Sequence, residues 1–242
     1  MAEKPQPFDP LDPEQAARRA AARQRLDAID PAKKPGEALK DPKRREWFEA
    51  VYALSEGDPV NVPWGHLVAN PLLLNWLAGQ IELRGKSVLD VGCGLGDNAA
   101  ALAEQGATVT AFDLVPRAAE WASDRFPDSG IEFRAADLFA PPPQWRGAFD
   151  LVHETYTLQA LPAAILPDAR KALVDLVKPG GRLLVICRAR AEDQESDGPP
   201  WPLARSDIEA FSECGLVLEK LEDVPPGLTP SRHWRAVLRK PA

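Results

Sequence analysis

The chain has 242 residues, of which 45% are hydrophobic and 27% charged, a balance typical of a globular protein rather than a disordered or fibrous one. Its net charge of −7 gives no overall attraction to phosphate backbones or anionic lipid, so we expect neither a nucleic-acid nor a membrane partner. No stretch approaches the ~20 apolar residues of a membrane-spanning helix, and the N-terminal sequence lacks the apolar core of a secretory signal. The three cysteines form no CxxC pair, and we predict a cytoplasmic protein without a metal centre.

The first 40 residues are predicted to form a helical and proline-rich extension, followed by a main domain over residues 41–242. Residues 13–27 are rich in Ala, Arg, Gln and Glu, which favour a helix, and Pro31 and Pro35 end it. We interpret its arginines as a solvated face rather than a partner contact. A second helix is predicted over residues 41–54, where four apolar side chains recur at helical spacing.

From residue 71 onward, predicted strands and helices alternate. An apolar helix over 72–77 precedes a buried strand over 86–91. The later strands are predicted at 108–112, 131–135, 149–153, 182–187, 216–221 and 234–239, and the later helices at 117–126, 163–177 and 206–214. This alternation predicts an α/β fold with a mainly parallel sheet and helices on both faces. The last two strands have no helix between them, which predicts an antiparallel edge.

The most informative segment is VLDVGCGLGD over residues 88–97, where a buried strand leads into three alternating glycines and then a helix. Gly92, Gly94 and Gly96 would permit a tight turn and a close approach of a nucleotide-like ligand to the backbone. An ordinary glycine-rich turn remains an alternative for the loop alone. We interpret Cys93 within the loop as a small filler rather than a nucleophile.

Two aspartates follow the next two strands and strengthen the ligand hypothesis. Asp113 comes twenty-one positions after Gly92, where an acid can accept both ribose hydroxyls. Asp137 follows the third strand and would place a carboxylate near an adenine amino group. Each aspartate alone is more typical of a helix cap or a solvated loop residue than of a ligand contact, but the three features in register predict a nucleoside-containing ligand.

The charges around the loop favour one class of nucleotide over another. The spacing here is G-x-G-x-G, whereas dinucleotide-binding loops favour G-x-G-x-x-G. Asp97 occupies the sixth position, and Asp90 stands two residues before the first glycine. Extra carboxylates would repel a pyrophosphate but could hold the cationic methionine end of S-adenosyl-L-methionine. The pattern therefore favours a sulfonium cofactor over NAD.

At this point the sequence resembles class I S-adenosylmethionine-dependent methyltransferases, which have a Rossmann-like seven-stranded sheet. The resemblance rests on VLDVGCGLGDNA as their first motif, on residues 149–154 as their fourth and on the Pro-Gly-Gly turn at 179–181. It implies transfer of a methyl group, with S-adenosyl-L-homocysteine as the product. The cofactor-binding residues that it implies are Asp90, Gly92, Gly94, Gly96, Asp113, Leu114, Asp137, Leu138 and Glu154.

The flanking segments resemble the thiopurine, thiol and halide methyltransferase branch. They are WFEAVY at 47–52, the Gly-Asp-Pro and Pro-Trp-Gly triplets at 57–59 and 63–65, and GPPWPL at 198–203. The chain departs from that branch at Gly65, where an Asp is common, and at Glu154-Thr155, where Asp-Arg is common. The branch implies a thiol, sulfide or related soft nucleophile as the acceptor. Trp47 and Trp64 either pack in the core or close over the cofactor, where an aromatic face suits a sulfonium.

The residues needed beside the acceptor depend on whether the acceptor must lose a proton during the reaction. A thiolate needs little deprotonation at neutral pH, whereas a phenol or an amine benefits from a positioned base. His66 follows the Pro-Trp pair, and Glu154 and Tyr156 end the fourth strand, so we predict that these three position the acceptor. His153 and His233 are further candidate bases, and His153 on its buried strand is interpreted as structural.

The main prediction is therefore a small-molecule S-methyltransferase acting as a monomer or homodimer. The alternative is an O- or N-methyltransferase of biosynthesis that uses His66 or Glu154 as its base. An NAD(P)-dependent oxidoreductase and a non-catalytic cofactor-binding protein are the two further hypotheses.

Overall fold

A computed structural model describes residues 7–9, 11–34, 36–79, 82–196 and 198–242. Pro35 and the first six residues of the predicted extension lie outside the described residues. The helices are α1 (Pro13–Ile29), α2 (Arg45–Leu54), α3 (Pro71–Leu77), α4 (Asp97–Glu104), α5 (Pro116–Arg125), α6 (Leu166–Leu176) and α7 (Arg205–Glu209). The strands are β1 (Ser87–Val91), β2 (Thr108–Asp113), β3 (Glu132–Ala135), β4 (Phe149–Thr155), β5 (Val177–Arg188), β6 (Val217–Val224) and β7 (His233–Arg239).

The strands form one seven-stranded sheet in the order β3-β2-β1-β4-β5-β7-β6. The first five positions are parallel to one another, while β7 runs antiparallel to both β5 and β6. This confirms the predicted α/β fold with its mainly parallel sheet and antiparallel end. The chain order reverses between β1 and β4, and ligands of such sheets bind in the crevice beyond the carboxyl ends of strands at that reversal.

Apolar side chains cover the sheet on both faces, because its parallel strands are buried from two sides. One face packs against α6 and the segment around α7, with Leu173 and Phe211 fully buried. The other packs against α3 and α4, with Leu72 and Leu102 fully buried. The two layers hold β1 and β4 rigidly, so the loops beyond their carboxyl ends have fixed positions.

Three elements differ in detail from their predicted bounds. The predicted helix 163–177 begins with a 3-10 turn over Ala163–Ile165, and α6 follows with a proline in its first turn. The predicted helix 206–214 divides into α7 and a 3-10 segment over Ala210–Cys214. The predicted turn at 179–181 lies inside β5 as a bulge, because pairing jumps from Val177 opposite Phe149 to Arg182 opposite Leu151.

The N-terminal segments pack against the sheet domain through a third apolar cluster. Leu26 of α1 meets Val51 and Tyr52 of α2, together with Val62 and Leu95. Because Leu95 belongs to the glycine loop, this cluster lies directly over the carboxyl edge of β1. The division of the chain at residue 40 remains a prediction. Within the described ranges, no helix is both long enough and apolar enough to cross a bilayer.

Candidate functional site

The glycine loop beyond β1 is closed in on both sides by side chains from other segments. Gly92 has a φ of +66°, and a Cβ there would lie 2.5 Å from Oγ1 of Thr157. Gly94 has a φ of +54°, and a Cβ there would lie 3.2 Å from the indole of Trp64. A side chain at either position is therefore excluded both by backbone conformation and by space. Gly96 is the N-cap of α4.

Asp113, at the end of β2, lies against this loop. Its Oδ2 accepts a hydrogen bond from the Gly94 N–H at 3.0 Å, and its Oδ1 accepts one from the Val115 N–H at 3.0 Å. Burial raises the pKa of Asp113, and the backbone donors oppose that rise. The carboxylate is thus held next to the loop, as the prediction for a ribose-binding acid requires.

Two buried carboxyl groups lie near the carboxyl ends of the neighbouring strands β1 and β4. The register places Asp90 opposite His153 and Val91 opposite Glu154. Oδ1 of Asp90 accepts a hydrogen bond from Nδ1 of His153 at 2.7 Å, which gives His153 the structural role that the sequence predicted. The other oxygen, Oδ2 of Asp90, is buried and has no hydrogen-bond partner among the described residues.

Glu154 is also fully buried, and among the described residues only one of its two carboxyl oxygens has a hydrogen-bond partner. Its Oε2 accepts hydrogen bonds from the backbone N–H groups of Thr157 at 3.0 Å and Leu158 at 3.3 Å. Its Oε1 has no partner in the described part of the chain, and burial raises the pKa of the carboxyl to about 8. A buried unpaired oxygen is costly. The unpaired oxygens of Asp90 and Glu154 are therefore each a position at which a cationic or hydrogen-bond-donating ligand group would be stabilised.

The structure pairs Asp137 with a lysine instead of leaving it free. Its Oδ2 lies 3.0 Å from Nζ of Lys43, and its Oδ1 accepts a hydrogen bond from the Phe139 N–H at 2.9 Å. Arg45, also from the start of α2, donates to the carbonyl of Leu114 at 3.3 Å. Leu138 is buried in the core beneath them. The basic residues before and within α2 thus cover the side of the site where the sequence predicts the adenine.

Asp97 does not add the free charge that the sequence argument gave it. Its carboxylate forms a two-point ion pair with Arg125 of α5, with N–O distances of 2.7 and 2.9 Å. The repulsion of a pyrophosphate by this residue is therefore cancelled by the neighbouring guanidinium. The preference for a cationic ligand rests on Asp90 and Glu154.

The predicted cover residues form an aromatic group over the loop. Nε1 of Trp64 donates a hydrogen bond to the hydroxyl of Tyr52 at 3.0 Å. Trp47 donates to the carbonyl of Leu26 at 3.3 Å, and its ring centroid lies 6.1 Å from that of Trp64. Trp64 contacts the loop directly, while Trp47 ties it to α1. The two tryptophans belong to a packed cluster that lies over the loop, and their closing over the cofactor stays a prediction.

His66 is engaged by the N-terminal segment. The Arg19 guanidinium lies 3.1 Å from its Nδ1 and also donates to the Gly65 carbonyl at 2.6 Å. The ring of Phe8 lies edge-on to the imidazole, with centroids 5.5 Å apart. Lost hydration and the Arg19 cation lower the pKa of His66 to about 4. Because Arg19 can only donate, Nδ1 of His66 is already used as an acceptor.

Tyr156 lies just beyond β4 and pairs with a histidine that the sequence argument weighed without selecting. Its hydroxyl lies 2.9 Å from Nε2 of His233, the first residue of β7. The residue adopts a left-handed backbone conformation with a φ of +68°. The 77 positions that separate the two residues explain why sequence spacing could not join them.

Two further residues contact the site, and no pattern in the sequence indicates their roles. Thr157 lines the glycine loop and donates to the Val91 carbonyl at 3.0 Å, although nothing local distinguishes it from other threonines. Arg19 was interpreted as part of a solvated face, and the structure corrects this, because the residue is buried against carbonyls of the segment 59–65. Cys93 agrees with its prediction as a filler, since burial raises its pKa well above the usual range.

Residues 88–181 match the sequence family described as a methyltransferase domain. A ubiquinone biosynthesis O-methyltransferase of Xylella fastidiosa (strain M23) is 41% identical over 123 residues, which cover 48% of this chain and 47% of the relative. The chain thus spans about half the length of the curated relatives it matches.

Solved structures support the same fold. A structure from work on the conversion of a disulfide bond into a thioacetal group during echinomycin biosynthesis aligns with a TM-score of 0.64 and 23% identity, over 80% of this chain and 92% of the other. The 1,6-didemethyltoxoflavin-N1-methyltransferase of Burkholderia thailandensis, solved with S-adenosylhomocysteine, aligns with a TM-score of 0.60 and 18% identity, over 83% and 88% of the two chains.

The thiopurine and thiol branch is not confirmed by the curated relatives, which are named ubiquinone biosynthesis O-methyltransferases. The sheet order, the glycine loop and the domain match agree with one another: the chain has a Rossmann-like methyltransferase fold, and residues 88–181 match the methyltransferase-domain family.

Proposed function

We propose that this chain transfers the methyl group of S-adenosyl-L-methionine to an oxygen atom of a small-molecule acceptor. The observation that carries the proposal is the 41% identity, over 48% of the chain, to an enzyme named as an O-methyltransferase. This replaces the S-methyltransferase prediction with its stated alternative. The identity of the acceptor is not taken over from the relative's name.

The residues beyond β1, β2 and β4 fit the cofactor. Gly92 and Gly94 keep the backbone of the loop free of side chains, and Asp113 beside it suits ribose hydroxyls. The buried unpaired oxygens of Asp90 and Glu154 suit the positive charge and the ammonium donors of the methionine end. When bound, the cofactor supplies a methyl group that is activated by its positively charged sulfur.

The chain's own contribution is to position the acceptor and to exclude water. Trp64 and Tyr52 close the loop from above, and an aromatic face next to a sulfonium contributes about 0.5–2 kcal/mol. Holding the acceptor at a near-attack distance supplies much of the acceleration in such a displacement, with effective molarities of roughly 10⁵–10⁸ M. A hydroxyl acceptor adds one requirement, because its proton must leave as the new bond forms.

The test begins with calorimetric titration of S-adenosylhomocysteine into the wild-type chain, the D113A variant and the D97N variant. We expect D113A to weaken binding at least about tenfold, since a charge-assisted contact is worth about 1.5–3 kcal/mol. D97N is the matched control, because the Asp97 carboxylate is paired with Arg125, whereas that of Asp113 bonds the backbone of the glycine loop. Equal affinity of D113A and the wild type would refute the cofactor site.

Release of S-adenosylhomocysteine is then followed with catechol, ring-substituted phenols, methanethiol, iodide and a primary amine as acceptors. We expect turnover on hydroxyl acceptors. Turnover on methanethiol or iodide alone would restore the thiol and halide hypothesis. Cofactor binding without turnover on any of them would refute the O-methyltransferase proposal.

A further inference from the structure

The pair formed by Tyr156 and His233 lies beside the proposed cofactor cradle. Tyr156 follows β4 directly, and the next residue, Thr157, is the one that closes on Gly92. The backbone N–H of Tyr156 donates to the Ile186 carbonyl of β5 at 3.0 Å, which holds the residue at the carboxyl edge of the sheet. His233 reaches the same edge because β7 runs antiparallel to β5, with His233 opposite Arg188.

The hydrogen bonds of His233 fix its tautomer. Its Nδ1 lies 2.6 Å from the backbone carbonyl of Ser231, which can only accept, so Nδ1 carries the proton. The hydroxyl of Thr229 lies 2.9 Å from the same nitrogen and itself donates to that carbonyl at 3.0 Å. In the neutral ring, Nε2 is then an acceptor. The Tyr156 hydroxyl at 2.9 Å must therefore donate its proton toward Nε2.

We propose that Tyr156 and His233 form a proton relay that deprotonates a hydroxyl acceptor during methyl transfer. The inference rests on the proposed O-methyltransferase function. The acceptor O–H bond breaks as its proton passes to the Tyr156 oxygen, while the phenolic proton passes to Nε2 of His233. The acceptor oxygen forms its bond to the methyl carbon, and the carbon–sulfur bond breaks with its electron pair on sulfur. The products are a methyl ether, a neutral thioether and an imidazolium.

The surroundings of the pair keep the base unprotonated at neutral pH. Burial lowers the pKa of His233, and the cation of Arg188 lowers it further, so the ring is neutral and able to accept a proton. Burial raises the pKa of Tyr156, while Asn70 and Arg188 oppose the rise, so the phenol keeps its proton until the relay moves it. The same cation disfavours a lasting imidazolium and promotes release of the proton after turnover.

The backbone of Tyr156 gives independent support. A bulky residue in the left-handed region is a conformational outlier that costs of order 1–3 kcal/mol. Such outliers cluster where the surrounding structure must aim a side chain at a ligand. Here the Ile186 carbonyl and His233 hold the residue at both ends, with a φ of +68°. Tyr156 would touch the acceptor, and His233, only 1% exposed, would act through it as a positioning residue.

The test compares Y156F, H233Q and the double variant on phenols whose pKa values span about 7–10. General-base assistance is worth about 10²–10⁴-fold, so we expect each single variant to lose about that factor on the least acidic phenols. The loss should shrink as the phenol becomes more acidic and ionises unaided. The double variant should be no slower than the slower single variant, because the two residues act as one unit. In the wild type, kcat/KM should fall below a pH set by His233, and H233Q should lack that limb.

Y52F is the matched control, since Tyr52 is the only other tyrosine and its hydroxyl bonds Trp64 instead of a histidine. It should change the cofactor KM equally for every phenol. T229V, which leaves the Ser231 carbonyl in place, should keep the wild-type pH profile. Thermal unfolding and cofactor affinity of each variant identify a folding defect. If H233Q fails to fold, the kinetics of Y156F still test the relay. The ring-nitrogen NMR shifts of the three histidines still test the tautomer.

Two results separate the two proposals. A wild-type chain that methylates no hydroxyl acceptor overturns the proposed function and, with it, the relay. A wild-type chain that methylates phenols, with losses in Y156F and H233Q that are the same for every phenol and leave the pH limb intact, overturns the relay alone. NMR shifts showing the proton on Nε2 of His233 would also overturn it.

Discussion

Glu154 should make the stability of the cofactor-free chain fall as pH rises. Its carboxyl has a pKa of about 8 in the folded chain against 4.5 for an ordinary glutamate, chiefly because of burial. Between these values the folded chain binds one more proton than the unfolded chain. Stability is therefore lost as the pH rises from about 4.5 to about 8, and the separation of about 3.5 pH units corresponds to about 5 kcal/mol.

The E154Q variant removes this titration and keeps an oxygen for the N–H groups of Thr157 and Leu158. We expect the wild type and E154Q to have similar unfolding free energies at pH 4 and E154Q to be more stable by about 5 kcal/mol at pH 9. Denaturant unfolding of both proteins at pH 4, 5, 7 and 9 measures the difference. All other titrating groups are shared, so the difference isolates Glu154. A difference that stays constant across this range would refute the reasoning.

The same residue links cofactor binding to a proton. A positive charge close to Oε1 favours the ionised carboxylate, so binding of S-adenosylmethionine at pH 7 should release up to one proton. Calorimetry in two buffers with different ionisation enthalpies measures that number directly. E154Q should release none from this position and should bind more weakly. Equal proton release by the two proteins would show that Glu154 does not face the positive charge.

Three further predictions concern the N-terminal segments. Arg44→Ala leaves the fully buried Asp30 carboxylate without its cation, and denaturant unfolding should show a loss of about 3–5 kcal/mol. Arg19→Ala removes the donors that tie α1 to the segment 59–65, so hydrogen exchange in α1 should rise while β1 stays protected. Equal exchange of α1 in the wild type and in Arg19→Ala would contradict this. Lys43→Ala removes the nearer of the two cations on Asp137 and leaves Arg45 at 3.7 Å, and calorimetry should show about 2–5-fold tighter S-adenosylhomocysteine binding; no change would argue against an adenine contact by Asp137.

The sheet domain could be predicted because its signals are local. Each buried strand is a short apolar run, and β1 leads into glycines whose positive φ angles the backbone requires. Asp113 ends β2, which pairs in parallel with β1, so chain order places it beside the loop that follows β1. For these residues, position in the sequence fixes position at the carboxyl edge.

The contacts that complete the site are not local. Arg19 reaches Gly65 over 46 positions, and Lys43 reaches Asp137 over 94, so no periodicity or spacing records either pair. Composition even misleads for Arg19, because an Arg-rich helix is typical of a solvated surface, while this one arginine is buried. The direction in which one side chain points is decided by packing between segments, which a single sequence does not display.

Sulfur and oxygen acceptors differ in whether a proton must be removed from them, and the Tyr156–His233 pair bears on that difference. A thiolate arrives already ionised and needs only a place beside the methyl group, so an acceptor-side base would be idle. Tyr156 and His233 instead form a donor–acceptor pair whose direction is fixed by the Ser231 carbonyl. The left-handed backbone of Tyr156 is costly to maintain for packing alone. That cost favours an acceptor with a proton to lose, and therefore oxygen over sulfur.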